Sequence, residues 1–286
     1  MAAPESPVTG VNLLTLLGGT VIGAQTGATL TASQELIELI TKQDSGFIEH
    51  LSGEQDWSVS HSGLILDSNA DKFVSNGNAT LELKFDAGSG SVEWHTLQRL
   101  ESLDLTFDQN LAETGGLDRP LWTYRRPAER KLEVDTTGSY LDPNSTIGEE
   151  YDEIWKAKEA SRSVTARVTV ASRTFSCELA PGDLEISAET GGEDATVSVS
   201  FASDGDITQG GSGFDSSVSM IIDAFFNQSQ LSFAMEHREG GSAVSGSTTY
   251  TGDGYLDTAD LSLEDGSEAT LDAEFAGDGA LSRSTA

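Results

Sequence analysis

The stretch Trp57-Ser-Val-Ser-His-Ser-Gly-Leu-Ile-Leu-Asp67 returns 75 residues later as Leu132-Glu-Val-Asp-Thr-Thr-Gly-Ser-Tyr-Leu-Asp142. Trp57, Val59 and His61 alternate with Ser58 and Ser60, the period of a half-buried strand. A second pair repeats: Arg173-Thr-Phe-Ser returns as Thr248-Thr-Tyr-Thr, and Phe201-Ala-Ser-Asp-Gly-Asp-Ile207 as Phe275-Ala-Gly-Asp-Gly-Ala-Leu281 after a one-residue slip in register. Keeping apolar, Gly and Asp positions in phase over such lengths requires a duplicated structural unit, so two related domains are expected.

Working outward, residues 1–10 carry two prolines and no periodicity and read as a flexible arm. Leu13–Leu17, Gly18-Gly19 and Thr20–Gln25 predict a hairpin, and Gly27–Ser33 a third strand. From Gln34 to Asp56 the chain is polar and without sustained period, which predicts a long loop. The second copy has a hairpin over Ala79–Phe85 and Ser91–Leu97, then a strand at Leu103, Leu105 and Phe107. Ala112–Lys131, with Gly115-Gly116, Pro120 and Pro127, takes the long-loop role, and Lys131–Asp135 closes this half.

A helix is expected over Glu149–Ala160, capped by Ser145 or Thr146, with Tyr151, Ile154, Trp155 and Lys158 on one face. Four strands follow: Val164–Val170, Thr174–Leu179, Asp183–Ala188 and Ala195–Ala202. Gln209-Gly-Gly-Ser-Gly213 reads as a flexible linker. Phe214, Val218, Ile221, Ile222 and Phe225 mark a second amphipathic helix, before strands at Leu231–Glu236, Thr248–Tyr250, Ala259–Leu263 and Ala269–Phe275.

The fold class is therefore mainly β, with one helix per repeat. The half-units run first, first, second, second, so the economical division is an outer domain, 11–67 plus 213–282, holding an inserted domain, 79–208. An exchange of halves between the domains leaves the same sequence.

Composition narrows function. Among 286 residues, 47 acidic ones oppose 16 basic ones, of which six are lysine, for a formal charge of -31. Such a surface repels nucleic acid, because DNA binding rests on neutralising phosphates. Acid excess with little lysine fits a protein built for molar salt, where carboxylate repulsion is screened. The basic residues gather between Arg119 and Arg173, so that segment faces something acidic, most simply another part of the same assembly. Arg119, Arg125, Arg126, Arg130 and Lys131 are the inter-subunit charge candidates; a phosphate clamp at Arg125-Arg126 is the lesser alternative.

Chemistry-bearing motifs are sparse. His50, His61, His95 and His237 lack metal-ligand spacing, and no Gly-x-Ser-x-Gly, Walker or dinucleotide fingerprint occurs. Cys177 sits in a strand-like run as a small core residue, and Asp204-Gly-Asp206 spells no known calcium loop. No catalytic residue, cofactor or metal is expected. Leu13–Ile22 lacks a basic leader and is broken by Gly18-Gly19, so neither a secretion signal nor a membrane span is expected.

Gly19-Thr-Val-Ile-Gly-Ala-Gln-Thr-Gly-Ala-Thr-Leu-Thr-Ala-Ser33, Thr41-Lys-Gln-Asp-Ser-Gly-Phe-Ile-Glu49 and Trp57-Ser-Val-Ser-x-x-Gly-Leu64 resemble the major tail tube proteins of long-tailed phages. The closing block agrees: a helix, then Thr248-Thr-Tyr-Thr-Gly-Asp-Gly-Tyr-Leu256, Asp260-Leu-Ser-Leu263 and Ala273-Glu-Phe-Ala-Gly-Asp-Gly-Ala-Leu281. These blocks cover the outer domain; the inserted one matches only through the internal repeat. Its loop, with Gly116-Leu-Asp-Arg-Pro120 and Trp122, departs from the pattern.

The resemblance implies two tail-tube β-sandwich or barrel domains, each with one flanking helix, assembled edge to edge into rings that stack as a hollow conduit for viral DNA. Rings of three chains are expected, six being the alternative. The loop from Gln34 to Asp56 is carried over as the ring-stacking contact, with Asp44, Phe47, Ile48 and Leu51 as candidates. Partners would be further copies, a tape measure protein and DNA transiently in the lumen, and tail terminator and baseplate proteins, with no membrane. With the composition, the resemblance implies the virion tail of a haloarchaeal tailed virus or provirus, assembled in the host cytoplasm. A minor tail component and a halophilic surface β-sandwich adhesin are the other readings; an enzyme ranks last.

Overall fold

The computed structural model describes residues 13–22, 24–39, 49–67, 72–75, 77, 79–86, 90–114, 122–140, 149–188, 195–239 and 242–285. The chain opens with β1 (Leu13–Leu17), β2 (Thr20–Val21), β3 (Gln25–Leu39), β4 (Glu49–Leu64), β5 (Leu66–Asp67) and β6 (Lys72–Phe73). Next come β7 (Ala79–Phe85), β8 (Glu93–Thr96), β9 (Leu100–Glu113), β10 (Arg125–Ser139), helix α1 (Glu149–Glu159), β11 (Val164–Val170), β12 (Arg173–Ser187) and β13 (Thr196–Gly211). Helix α2 (Ser216–Asn227), β14 (Leu231–Glu239), β15 (Ser242–Ala243), β16 (Thr248–Glu264), β17 (Thr270–Gly277) and β18 (Ser282–Thr285) complete it. The fold is mainly β, with one large antiparallel sheet of 16 strands.

Two sets of strands follow one pairing order. The outer set runs β3-β4-β17-β16-β14-β1-β2, and the inserted set β9-β10-β13-β12-β11-β7-β8. Registers agree residue by residue: Trp57 pairs with Ala32 as Leu132 pairs with Phe107, and Val59 with Phe275 as Val134 with Phe201. The irregularities agree too. The bulge between Leu256 and Thr258 against β17 has its counterpart between Pro181 and Leu184 against β13, and the one between Gln34 and Leu36 its counterpart between Pro127 and Arg130. Bulges re-aim a strand, so equal bulges impose equal curvature on the two sets.

That curvature folds each set onto itself. Trp57 of β4 meets Phe233 of β14 edge to face at 6.2 Å, although β17 and β16 separate these strands in the sheet. Phe107 of β9 likewise meets Phe175 of β12 at 5.1 Å across β10 and β13. Two layers with a shared apolar interior result, the arrangement of a β-sandwich. The core runs through both sets without a break, from Leu17 and Ile22 through Trp57 and Phe275 to Leu132, Val199 and Leu83.

The helices form where their apolar spacing predicts. Asp215 caps α2 by accepting from the amides of Ser217 and Val218 at 2.7 and 3.1 Å, and Val218, Ile221, Ile222 and Phe225 are buried. In α1, Glu149, Glu150 and Asp152 stand in the first turn and Lys156 and Lys158 in the last, matching the helix dipole, which Glu159 at the C-terminal end opposes. Its buried face is Glu150, Tyr151, Ile154 and Ala157; Trp155, expected on that face, lies half-exposed at its rim. The proposed caps Ser145 and Thr146 fall outside the described residues.

Three expectations need correction. The polar stretches Gln34–Asp56 and Ala112–Lys131 are not loops along their described lengths: β3 pairs with β4 out to Leu39 and Glu49, and β9 with β10 out to Glu113 and Arg125. Thr31 to Leu36 are all exposed, and a ribbon wetted on both faces shows no alternation to read. Asp183–Ala188 is not a separate strand but continues β12 past its bulge, and Thr248–Tyr250 and Ala259–Leu263, expected as two strands, are likewise one, β16. Gln209–Gly211, read as part of a flexible linker, closes β13, with Gly210 opposite Thr174 and Gly211 opposite Arg173. A Cβ on Gly211 would stand 2.1 Å from the Ser172 carbonyl oxygen, so glycine here permits close backbone approach rather than flexibility.

His61, in line with Trp57 and Val59, is buried, and its Nδ1 has no hydrogen-bond partner. Burial pushes its pKa down from 6.5 to about 4 against the opposing pull of Asp272. The unfolded chain therefore takes up a proton between pH 6.5 and 4 that the folded chain refuses, so stability is present above 6.5 and lost as pH falls. From pH 7 to pH 4 this one group removes about 3 kcal/mol. The corresponding site in the inserted set is Thr136. His61→Thr should lose that much less than the natural chain in urea titrations at the two pH values; equal losses would show the imidazole is not buried neutral.

Candidate assembly interface

The two sets are joined by one further strand pair. β9 lies antiparallel to the second half of β16, with Phe107 opposite Ala259, Leu105 opposite Leu261 and Leu103 opposite Leu263, all fully buried. Behind the joint, Phe107 packs on Phe225 of α2 at 5.3 Å and Phe226 at 6.3 Å, so an inserted strand seats on the outer helix. Arg130 closes the end of that helix, donating to the carbonyls of Phe225 and Phe226 at 3.3 and 2.5 Å with its guanidinium over the Phe225 ring. Gln109, also buried, donates to the Leu256 carbonyl at 3.0 Å.

Both strands of this joint have a counterpart with an open side. β3, which corresponds to β9, pairs with β4 and, among the described residues, with no other strand. β12, which corresponds to β16, is flanked by β11 only from Arg173 to Leu179; beyond that, Ala180–Ser187 keeps β13 on one side and, among the described residues, no strand on the other. Open edges carry rows of unpaired amides and carbonyls ready to accept another strand.

The basic candidates separate. Arg125 is 10 % exposed and binds both oxygens of Asp56 at 2.6 Å, the Gly277 carbonyl at 2.8 Å and Glu113 at 3.3 Å. The hydrogen bond to Asp56 raises its pKa against the effect of burial. The described contacts of Arg125 thus tie β10 to β4 and β17 within one chain. The ribbons are also linked where Thr123 donates its amide to the Gln55 carbonyl at 2.9 Å. Arg130 serves the α2 terminus, Lys131 pairs with Glu133 on the surface, and Arg126 is exposed. Arg119 lies outside the described residues, as do Asp44, Phe47 and Ile48; Leu51 pairs its backbone with Ile37 in the β3–β4 ribbon.

The face of the sheet turned away from the core is polar and acidic. One row crosses six strands as Ser62, Asp272, Asp260, Thr106, Glu133 and Ala202. Asp260 stands directly opposite Asp272, and Asp104 opposite Asp135. Burial first, then the charges of Glu133 and Asp104, raise the pKa of Asp135; burial, Glu274 and Asp108 do the same for Asp257. Like charges on facing strands destabilise by about 0.2–1 kcal/mol per pair, an effect that salt screens. Asp104→Asn with Asp260→Asn should therefore raise the melting temperature at 0.1 M salt more than at 3 M. An equal rise at both would remove these pairs as a source of salt dependence.

No group of three or more His, Cys, Asp or Glu among the described residues is placed to hold a metal ion. Cys177 is buried, its thiol pushed up to about 11 by burial and then Glu178, so the unreactive thiol form prevails. No described helix is long and apolar enough to cross a membrane.

No protein-family model and no curated protein matches the chain. Among solved structures, it is similar to a chain of the virion of a native gene transfer agent particle, with 11% identity over 48% of this chain and 98% of that one and a TM-score of 0.38. A chain from the C6-symmetric tail of the empty gene transfer agent particle shows 18% identity over 45% of this chain and 93% of that one, TM-score 0.35. The sixfold-symmetrised baseplate of the anti-feeding prophage supplies a third, at 8% identity over 47% and 93%, TM-score 0.36.

The charge pattern of the sequence pointed to Arg125 and Arg130 and not to the edge at Ile186, which has no partner strand among the described residues beyond β13. The 75-residue echo laid over strand pairing would have found it.

Proposed function

We propose that this chain is a structural subunit of a viral tail, the major tail tube protein, whose rings stack into a hollow conduit for DNA ejection. The observation that supports this reading is the intrachain joint: two units of one pairing order meet through β9 and β16, while β3 and the second half of β12, which correspond to them, each keep an edge without a partner strand among the described residues. A head-to-tail contact between different surfaces adds subunits in one direction and makes a ring when the rotation closes. The two units, 11–67 plus 213–282 and 79–208, take quasi-equivalent places, so three chains fill six positions.

The acidic, serine-rich face lines the channel. Carboxylates and hydroxyls give phosphates no counter-charge to grip, and DNA and a tape measure protein pass without sticking. The acid-rich composition suits a haloarchaeal virus, with the chain assembled in the host cytoplasm and capped in the virion by terminator and baseplate proteins. The β3–β4 ribbon, carrying Asp44, Phe47, Ile48 and Leu51 in and beside its connecting segment, reaches the adjacent ring.

Negative-stain electron microscopy of the purified chain in molar salt tests the reading. Hollow tubes with threefold ends are expected, and removal of residues 44–52 should leave folded rings that do not stack. Sixfold rings of whole chains would refute the trimer, tubes from the deleted chain would refute the stacking role, and persistent single chains would refute the tube.

A further inference from the structure

The joint inside the chain is a template for the joint between chains. In β9 and β16 the facing pairs are Asp108 with Thr258, Phe107 with Ala259, Thr106 with Asp260, Leu105 with Leu261 and Asp104 with Ser262. The same shift of 75 residues relates β3 to β9 and β12 to β16: their neighbours follow in matching registers, β4 to β10 by 75 and β13 to β17 by 74. Subtracting it gives a contact that no strand makes among the described residues. We propose that β3 of one copy pairs antiparallel with Asp183–Ser187 of β12 in the next copy, setting Ser33 against Asp183, Ala32 against Leu184, Thr31 against Glu185, Leu30 against Ile186 and Thr29 against Ser187. This rests on the ring reading and names its two strands and their register.

Exposure supports the occupant. Ile186 is 48% exposed, whereas Leu261 in the corresponding place is 0% exposed beside β9. Trp155 on α1 is 48% exposed, whereas Ile222 on α2 is buried at 0%. Between them lies a largely apolar groove of about 320 Å³ lined by Tyr140, Tyr151, Trp155, Leu184, Ile186 and Val197, with Asp152 as its one charged residue. The residue that the template brings to this groove is Leu30, the counterpart of Leu105, already turned toward the core of its own unit. A second copy covers the groove, pairs the edge amides and leaves polar residues facing polar residues on the opposite face.

The two joints differ in one respect. Phe107 has Ala32 as its counterpart, and Phe225 and Phe226 have Lys158 and Glu159. The contact between chains therefore lacks the phenylalanine cluster, which makes it the more easily reversed of the two.

Disulfide capture reads the register. In a Cys177→Ala background, Leu30→Cys with Ile186→Cys should give a ladder of covalent multimers on mild oxidation in molar salt. Ala28→Cys with Ile186→Cys, displaced by two residues, should react at least about tenfold more slowly, since diagonal positions lie beyond disulfide reach. Ile186→Lys changes an exposed side chain and should leave a folded chain that does not polymerise. Rings or tubes that form while the displaced pair reacts as fast, or while neither pair reacts, overturn this strand pairing and leave the ring reading standing. Single chains without cross-links overturn both.

Discussion

Trp57→Ala should lower the unfolding free energy by about 3–5 kcal/mol, the cost of emptying a fully packed aromatic site. Trp57 is buried, meets Phe233 edge to face and donates its indole N–H to the Gly279 carbonyl at 3.0 Å. Its ring occupies space that two glycines leave free. A Cβ on Gly252 would stand 2.5 Å from the ring, and one on Gly277 2.3 Å. On the side of Gly252 and Gly277 there is no side chain to move into the vacated space, so part of the cavity persists and the loss falls at the upper end. Gly277→Ala should destabilise from the opposite direction by overpacking, by about 1–3 kcal/mol. Urea unfolding measures both. A loss under 1 kcal/mol for Trp57→Ala would mean the two layers are held elsewhere.

Phe107→Ala should cost a similar amount, about 3–5 kcal/mol, and should also change how the chain unfolds. Phe107 is fully buried against Phe175 of its own set and Phe225 of the outer helix. It is thus one side chain shared by two cores. Removing it leaves the β9–β16 backbone pairing and the buried Leu105–Leu261 and Leu103–Leu263 pairs but takes away the aromatic packing between the inserted sheet and the outer helix. Calorimetry should resolve two transitions where the natural chain gives one; a single shifted transition would show that the remaining contacts across the joint keep the halves cooperative.

Much of this architecture was legible because buried strands betray themselves by alternation. Trp57, Val59 and His61, or Leu103, Leu105 and Phe107, face one core across one sheet, and the echo between copies follows from the same registers. The ribbons were not legible, since Thr31 to Leu36 touch water on both faces and carry no period. The Gly-rich run before α2 misled for a different reason. A glycine demanded by close backbone approach is written with the same letter as one that supplies freedom. For the interface, charge directed attention to Arg125, which the fold uses to tie its own ribbons together. Ile186 looks like an ordinary core residue in sequence; only the pairing order reveals that, among the described residues, no strand lies on its second side.

The presence of Phe at 107 and Ala at 32 has a consequence for how such a molecule evolves. When every seam of a ring is made by copies of one small subunit, a mutation that tightens one seam tightens all of them, and assembly timing is bound to mechanical strength. Carrying both units in one polypeptide breaks that link: position 107 can harden while position 32 stays small, because each is inherited separately. In the proposed ring, the covalent connection would bring two units together without any encounter in solution, so half of the seams would not depend on concentration. One gene would in this way specify a permanent weld and a separable latch from two copies of one surface.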